Sequence, residues 1–495
     1  MAPAMRELAL RAKRRVPERY EYVEGWGMAV GAYAHVLRPR SVEEVLECFR
    51  IASERGAPLV LRGGGNSYGD ASMNSRGLVL DISQFSRVLA FDVQTGVATL
   101  EPGVTIEKLW KTIVPLGFWP RVVSGTMFPT VAGALAANIH GKNNFAVGTI
   151  GDACLEFDIA LPTGELKTCS RQQNADLFHA AIGGFGLLGA FTRIVLQTKR
   201  VHSGDVRVSA SSPRTLREMM DYFEATKHEA DYLVGWIDCF AGGDRAGRGL
   251  IHRADYLAPG EDPRPQDTLR IAHQELPANI LGAFPKSQVW RILRLFNHDL
   301  GMRSINAAKC VAGRLESMAP PYLQSHAGFA FLLDYVPNWK WAYGQRRRDF
   351  GLIQYQPFVP HEHAHAVHTE ILERCRRAGH VPYLGVFKRH RPDPFWLTHA
   401  VDGWSMAMDF KVSPSRREEL WKLCGELTEL VISAGGRFYF AKDAVVDASD
   451  AARFLPRDKM QAFAALKRRC DPQQLLEGDL YRRAFAEWID AAART

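Results

Sequence analysis

Three consecutive glycines, Gly63, Gly64 and Gly65, stand between two short apolar runs at residues 58–61 and 77–81. Runs of that length read as buried strands, so the glycines fall in the turn that joins them. A turn without Cβ atoms can take positive φ and bring successive backbone N–H groups up to a bound anion. Residues 62–70, RGGGNSYGD, therefore read as a diphosphate cradle, the plainer alternative being a tight connection between strands. Two further glycine-rich stretches, 125–143 and 183–189, favour the cradle. The third holds G-x-G-x-x-G at Gly184, Gly186 and Gly189, but it follows a helical pattern at 175–182 and opens a strand-like one at 190–197. A nicotinamide fingerprint needs the reverse order, strand and then helix, so that cofactor is rejected.

Around these loops the pattern mixes both element types. Ser41 with Glu44 three residues on predicts a capped helix over 42–52 with Val42, Val45, Leu46 and Phe49 on its apolar face. Strands are expected near 78–81, 88–92, 96–100 and 155–162, and Thr105 caps a short helix at 106–114. From Ser203 the texture changes to short strands and helices rich in tryptophan, with a proline-bearing stretch at 258–279 that reads as a flexible insertion. Strand patterns at 352–359, 383–387 and 405–412 alternate with helical ones at 364–377 and 414–434, an α+β arrangement with an antiparallel sheet. Residues 435–495 read as mostly helical after a strand ending near Lys442.

A chain of 495 residues exceeds one ordinary core and fits two or three domains. Its excess of eight positive charges suits an anionic ligand or surface, while the lack of basic blocks interleaved with aromatics argues against nucleic acid. Eight scattered cysteines without any C-x-x-C fit neither a zinc site nor a disulfide framework and read as reduced. No apolar stretch reaches the roughly 18 residues of a membrane span, and no signal-peptide pattern precedes residue 20, so a cytoplasmic location is expected. Residues 5–15 have the spacing of a short basic amphipathic helix able to touch anionic lipid, a frayed terminus being the alternative.

The quoted motifs resemble those of the vanillyl-alcohol-oxidase, PCMH-type family of FAD-linked oxidoreductases, and within it the branch that oxidises polyprenylphosphoryl ribose. The resemblance spans nearly the whole chain: Gly25-Trp26-Gly27, RGGGNSYGD, Gly125-Thr126, NIHGKN at 138–143, GGFGLLG at 183–189, LIQYQ at 352–356, VFK at 386–388, Gly403-Trp404 and YFAKD at 439–443. It implies an α+β fold: a PCMH-type FAD-binding domain at 15–202, an inserted substrate domain with an antiparallel sheet at 203–434, and a segment at 435–495 that returns to the first. FAD contacts are implied for Arg62, Gly63, Gly64, Gly65, Asn66, Ser67, Tyr68, Gly69 and Asp70. They are also implied for Gly125, Thr130, Val131, Ala132, Gly133, Ala137, Asn138, Ile139, His140, Phe191 and Tyr439. Substrate contacts are implied for Tyr68, His140, Lys142, Trp236, Gln354, Gln356, Lys388 and Lys442. The implied reaction is oxidation of C2 of a polyprenylphosphoryl pentose, with a short-chain NAD(P)H-dependent reductase as partner and peripheral contact with the inner membrane surface.

Three departures stand out. Asn66 occupies the position where many family members bond a histidine to the flavin, and its amide cannot form that link, so FAD is expected to be non-covalent. Ala407 replaces a pocket cysteine and His390 an aromatic residue, which leaves the natural substrate open. An aldonolactone or alditol oxidase of the same superfamily is the nearest rival, although such enzymes usually carry the linking histidine. A flavin-binding accessory protein without turnover is the rival of another class.

Alcohol oxidation needs a hydride acceptor, a group for the hydroxyl proton and a held substrate. Lys442 lies among Phe438, Tyr439 and Phe440, where burial would lower its pKa and make it a base or a polarising donor; a surface lysine paired to Asp443 is the alternative. Tyr68 reads equally as a substrate or flavin partner and as a core aromatic, and His140 as a flavin-face ring or a structural histidine. Lys142, Lys388, Gln354 and Gln356 suit a phosphorylated sugar, with a solvated basic face at 388–391 as the alternative. His361, His363, His365 and His368 have helical spacing after Pro360 but read as exposed first turns of a helix, and no metal site is expected.

Overall fold

A computed structural model describes residues 16–280, 284–344 and 350–491; the basic stretch 5–15 lies outside them. The helix after Ser41 forms over Val42–Arg55, where the Ser41 hydroxyl accepts from the Glu44 N–H at 3.3 Å. Glu44 returns its carboxylate to the N–H of Arg40, one residue before the cap, so the box is closed out of register. Its buried face, Val45, Cys48, Phe49 and Ala52, packs on Leu37, Leu59 and Leu80. Thr105 caps Ile106–Ile113 in the same way. Thr130 caps Val131–Ala136, so the second glycine-rich stretch contains a short helix and is not one continuous loop.

The fold is α+β. A four-stranded sheet runs Glu18–Glu24, Gly31–Leu37, Leu78–Asp81, Leu59–Arg62, with the last three parallel, so the strands on either side of the triple glycine lie side by side. A six-stranded antiparallel sheet is centred on Ala190–Arg200, flanked by Val97–Leu100 and Cys154–Ala160. A nine-stranded antiparallel sheet draws its strands from residues 205–438, with Tyr232–Ile237, Leu384–His390 and Gly403–Val412 at its centre. The expected strand at 352–359 is two, Gly351–Tyr355 and Pro357–Pro360, interrupted at Gln356.

Three expectations need correction. Residues 258–279 are not a loose insertion: Asp262 accepts from Ser203 and Thr268, and Gln274 bonds Gly204 and Ala327, which ties the two short helices Pro265–Thr268 and Ile271–Gln274 to the sheet edge. The late strand is only Arg437–Phe438, and Lys442 follows in a turn closed by its N–H to Tyr439 O at 2.9 Å. The histidines share helix His361–Arg377, yet His368 is wholly buried, bonded to Ala364 O and packed against Phe387, because the helix turns that face to the large sheet. Among the described residues no group of three or more His, Cys, Asp or Glu is placed to hold a metal ion.

The final segment ties the units together. Arg437–Phe438 pairs with Pro357–Phe358 in the large sheet, while Leu475 O accepts from Leu59 N beside the glycine turn. Arg483 bridges Asp70 at 2.8 Å and Asp443 at 2.7 Å, joining the end of the glycine loop to the turn that carries Lys442.

Candidate active site

A cavity of about 610 Å³ lies between the glycine-rich loops and the large sheet, a size typical of sites for small molecules and cofactors. Arg62, Gly63, Gly64, Gly65, Asn66 and Ser67 form one wall. The second loop contributes Gly125, Thr130, Ala132, Gly133, Ala137, Ile139 and His140, and Phe185, Gly186, Gly189 and Phe191 close the far end. The first two walls touch: a Cβ on Gly63 would stand 2.2 Å from Thr130 Oγ1, so any larger residue would force them apart. Among the described residues, the backbone N–H groups of Gly64, Gly65, Asn66 and Ser67 donate to no protein acceptor. Four successive N–H groups without a protein acceptor on a cavity wall fit the pyrophosphate of a dinucleotide cofactor, whose oxygens accept several backbone donors at once.

Not every residue assigned to the cofactor faces the cavity. Tyr68, Gly69 and Asp70 turn inward: Tyr68 N–H reaches Ala441 O, a Cβ on Gly69 would meet Asp443 O at 2.3 Å, and Asp70 holds Arg483. Val131 is in the core, and Asn138, at φ 47°, is spent on Asp393 and the Gly151 N–H. The third loop packs by its backbone on the short helix, Gly183 N to Leu135 O and Phe185 N to Ala136 O, so only part of it reaches the cavity. Asn66 sends its amide to Gly64 O and offers no nucleophile, consistent with a flavin held by contacts alone.

The sheet wall is set by strand alternation. Successive residues point to opposite faces, so Leu384, Val386 and Lys388 line the cavity while Gly385, Phe387 and Arg389 face away. Val386 lies between Trp236 and Ala407 in the register, and both line the cavity with it. Gln354, on Gly351–Tyr355, and Gln356, at the break before Pro357–Pro360, enter beside the strand that carries Ala407. Gln356 donates to Ser405 Oγ at 3.1 Å and meets His140 Nε2 at the same distance; Gln354 donates to Asp409 at 2.6 Å. Tyr439 packs at a tilt against His399 and His140, and Lys142 lies over the Phe329 ring at 4.3 Å.

Lys442 stands at the meeting of these walls, its Nζ 4.1 Å from the centre of the Tyr68 ring. Asp443 is taken by Arg483, which removes the surface pair Lys442–Asp443 as an alternative. Burial pushes the Lys442 amine well below the ordinary lysine value, an effect opposed by Asp409 and reinforced by Lys388. Burial in turn raises the carboxyl of Asp409, which is fully enclosed and has one oxygen without a partner. Burial also lowers Lys388, to about 8, and keeps His140 neutral. His140 lines the cavity with its Nδ1 buried and without a partner, a polar atom that a bound cofactor or substrate would satisfy. Together these groups can accept a hydroxyl proton beside a held ring.

Several site residues escaped the sequence reading. Asp409 follows Ser405 and Ala407 on alternate positions of GWSMAMDF, so period two was the available signal. Tyr343, Asn306 and Lys309 line the cavity from elements that carried no clear pattern, the last with its amine 4.5 Å from the Trp236 ring.

Residues 33–170 match a family model described as an FAD binding domain. Over 476 residues, 94% of this chain and 98% of the relative, the sequence is 28% identical to decaprenylphosphoryl-beta-D-ribose oxidase of Mycolicibacterium smegmatis. It is 31% identical over 217 residues to cytokinin dehydrogenase 7 of Oryza sativa subsp. japonica, 41% of each chain. A putative D-arabinono-1,4-lactone oxidase of Neurospora crassa is 27% identical over 161 residues, 32% of this chain and 29% of that one. With the loops, the free donors and these relatives agreeing, the chain is an FAD-linked oxidoreductase, similar along nearly its whole length to decaprenylphosphoryl-beta-D-ribose oxidase.

Proposed function

We propose that this chain oxidises a secondary sugar hydroxyl to a ketone, at C2 of a pentose carried on a polyprenyl phosphate. The similarity over 94% of the chain supports the substrate class, and the cavity lysines Lys309 and Lys388 supply positive charge for a phosphate. Bound FAD would accept the hydride from the carbinol carbon. The observation that carries the reading is Lys442, an amine made less basic by burial at the junction of the glycine loops and the sheet. In its neutral form it takes the hydroxyl proton, and Asp409, held by Gln354, stabilises the ammonium that results. Gln356 and His140, bonded to one another, orient the sugar from the side.

The 2-keto product requires a second enzyme, a short-chain NAD(P)H-dependent reductase, to return it to an alcohol of inverted configuration. A polyprenyl tail places the work at the inner membrane surface. No helix among the described residues is long and apolar enough to cross a membrane. Oxidation of an aldonolactone or alditol is the second reading, favoured by the Neurospora relative.

Anaerobic addition of polyprenylphosphoryl ribose, free pentitols or aldonolactones to the yellow protein separates these readings. The proposal expects bleaching of the visible flavin band by the lipid-linked sugar and not by its soluble competitors. Bleaching by an aldonolactone alone would favour the second reading. No bleaching by any alcohol would leave a flavin-binding accessory protein.

A further inference from the structure

The helix Asp299–Glu316 has two unlike faces. Met302, Ile305, Asn306 and Lys309, spaced three and four apart, turn to the cavity. The opposite stripe, Leu300, Ser304, Ala307, Ala308, Val311 and Leu315, keeps the same helical spacing and lies open. Leu300, Val311 and Leu315, with Leu295 just before the helix and Met318 just after it, are each between 64 and 79% exposed. Single exposed leucines are ordinary on a protein surface, but a continuous stripe of them marks a surface that binds something.

The charges beside the stripe indicate what. Between residues 289 and 318, with Lys309 turned to the cavity, four arginines, Arg291, Arg294, Arg303 and Arg314, stand against two carboxylates, Asp299 and Glu316. Both carboxylates are occupied, Asp299 by the Tyr383 hydroxyl and Glu316 by Tyr322 and His252. Arg294 and Arg314 have no carboxylate partner among the described residues, and Arg303 lies over the Phe240 ring. Apolar side chains flanked by free arginines are the signature of a helix that lies in a membrane interface: leucines enter the acyl boundary and guanidinium groups pair with lipid phosphates.

We propose that the outer face of helix Asp299–Glu316 docks on an anionic lipid bilayer, so that its inner face forms the threshold between bilayer and cavity. The same helix then borders the lipid from which a polyprenyl phosphate arrives and the chamber in which its sugar reacts. The purpose of this surface rests on the proposed lipid-linked substrate, but binding to vesicles is measured without turnover, so the two ideas fail separately.

The test is flotation of the FAD-loaded full chain with vesicles of phosphatidylglycerol and phosphatidylcholine in equal parts, and of phosphatidylcholine alone. The wild type should float with the anionic vesicles and far less with the neutral ones. Replacing Arg303→Gln with Arg314→Gln should weaken partition by about 30-fold, each basic group near an anionic surface contributing about fivefold. The triple change Leu300→Asp, Val311→Asp, Leu315→Asp should reduce flotation to background while retaining the flavin spectrum as evidence of folding. Three results would overturn the proposal: no flotation of the wild type, flotation indifferent to both sets of substitutions, or a wild-type dimer that the aspartates convert to monomer, which would show a second copy covering the stripe.

Discussion

Replacing Lys388 by methionine should reveal how strongly this cavity resists positive charge. Lys388 lines the cavity from the central strand Leu384–His390 and has no ion-pair partner among the described residues. Burial alone lowers its amine from 10.5 to about 8. The sign follows from proton counting. Below pH 8 both folded and unfolded chains carry the proton, and the folded one bears the full cost of a buried cation. Between about 8 and 10.5 the unfolded chain binds more protons, so stability rises with pH; above 10.5 the cost is gone. A gap of about 2.5 in pKa is worth about 3 kcal/mol at pH 7, shrinking to about 1 kcal/mol at pH 10. Lys388→Met should therefore be more stable than wild type by about 3 kcal/mol at neutral pH, with most of the difference gone at pH 10. Urea unfolding of both proteins at the two pH values measures it. A difference that does not change with pH, or that widens as pH rises, would refute the claim that Lys388 is a buried, destabilised cation. The same substitution should slow reduction by a phosphorylated substrate more than by a neutral sugar.

Other perturbations follow from the same geometry. Arg483→Met leaves Asp70 and Asp443 facing one another without their shared cation and should cost about 3–5 kcal/mol in urea unfolding; a loss below about 1 kcal/mol would mean that the bridge between glycine loop and Lys442 turn is dispensable. Gly63→Val forces a side chain against Thr130 Oγ1 and should lower FAD affinity measured by fluorescence titration; unchanged affinity would show that the two loops need not touch. Acid precipitation of the yellow protein should release all colour to the supernatant, because Asn66 cannot bond the flavin; colour retained in the pellet would contradict that.

Much of the cofactor side was legible because it is written in backbone terms. Glycine runs, and the caps at Ser41 and Thr105, act locally, so a short window of sequence contains the whole physical cause. What such a window lacks is direction. RGGGNSYGD reads as one cradle, yet only residues 62–67 face the cavity, and Tyr68, Gly69 and Asp70 turn to the segment near Asp443 and Arg483, hundreds of residues away in sequence. The substrate side was harder. Tyr232–Ile237 is buried at every position and so shows no alternation, the expected result for a strand covered on both faces. The helix Asp299–Glu316 escaped because its apolar residues divide between a cavity and an open stripe, which blurs the single-faced pattern of a core helix. Asp409 was visible as the one carboxylate in an apolar strand, but its importance depends on Gln354 bonding it and on Lys442 lying near enough to feel its charge, which only the folded sheet provides.

The most direct measurement is the rate of flavin bleaching after anaerobic mixing with polyprenylphosphoryl ribose, compared between wild type and Lys442→Ala. The variant should bind FAD and remain yellow while its bleaching slows by about 10²–10⁴-fold, the usual worth of a placed proton acceptor. Bleaching of Lys442→Ala at the wild-type rate would show that the hydroxyl proton leaves by another route and that the junction of loop and sheet is not where the reaction is driven.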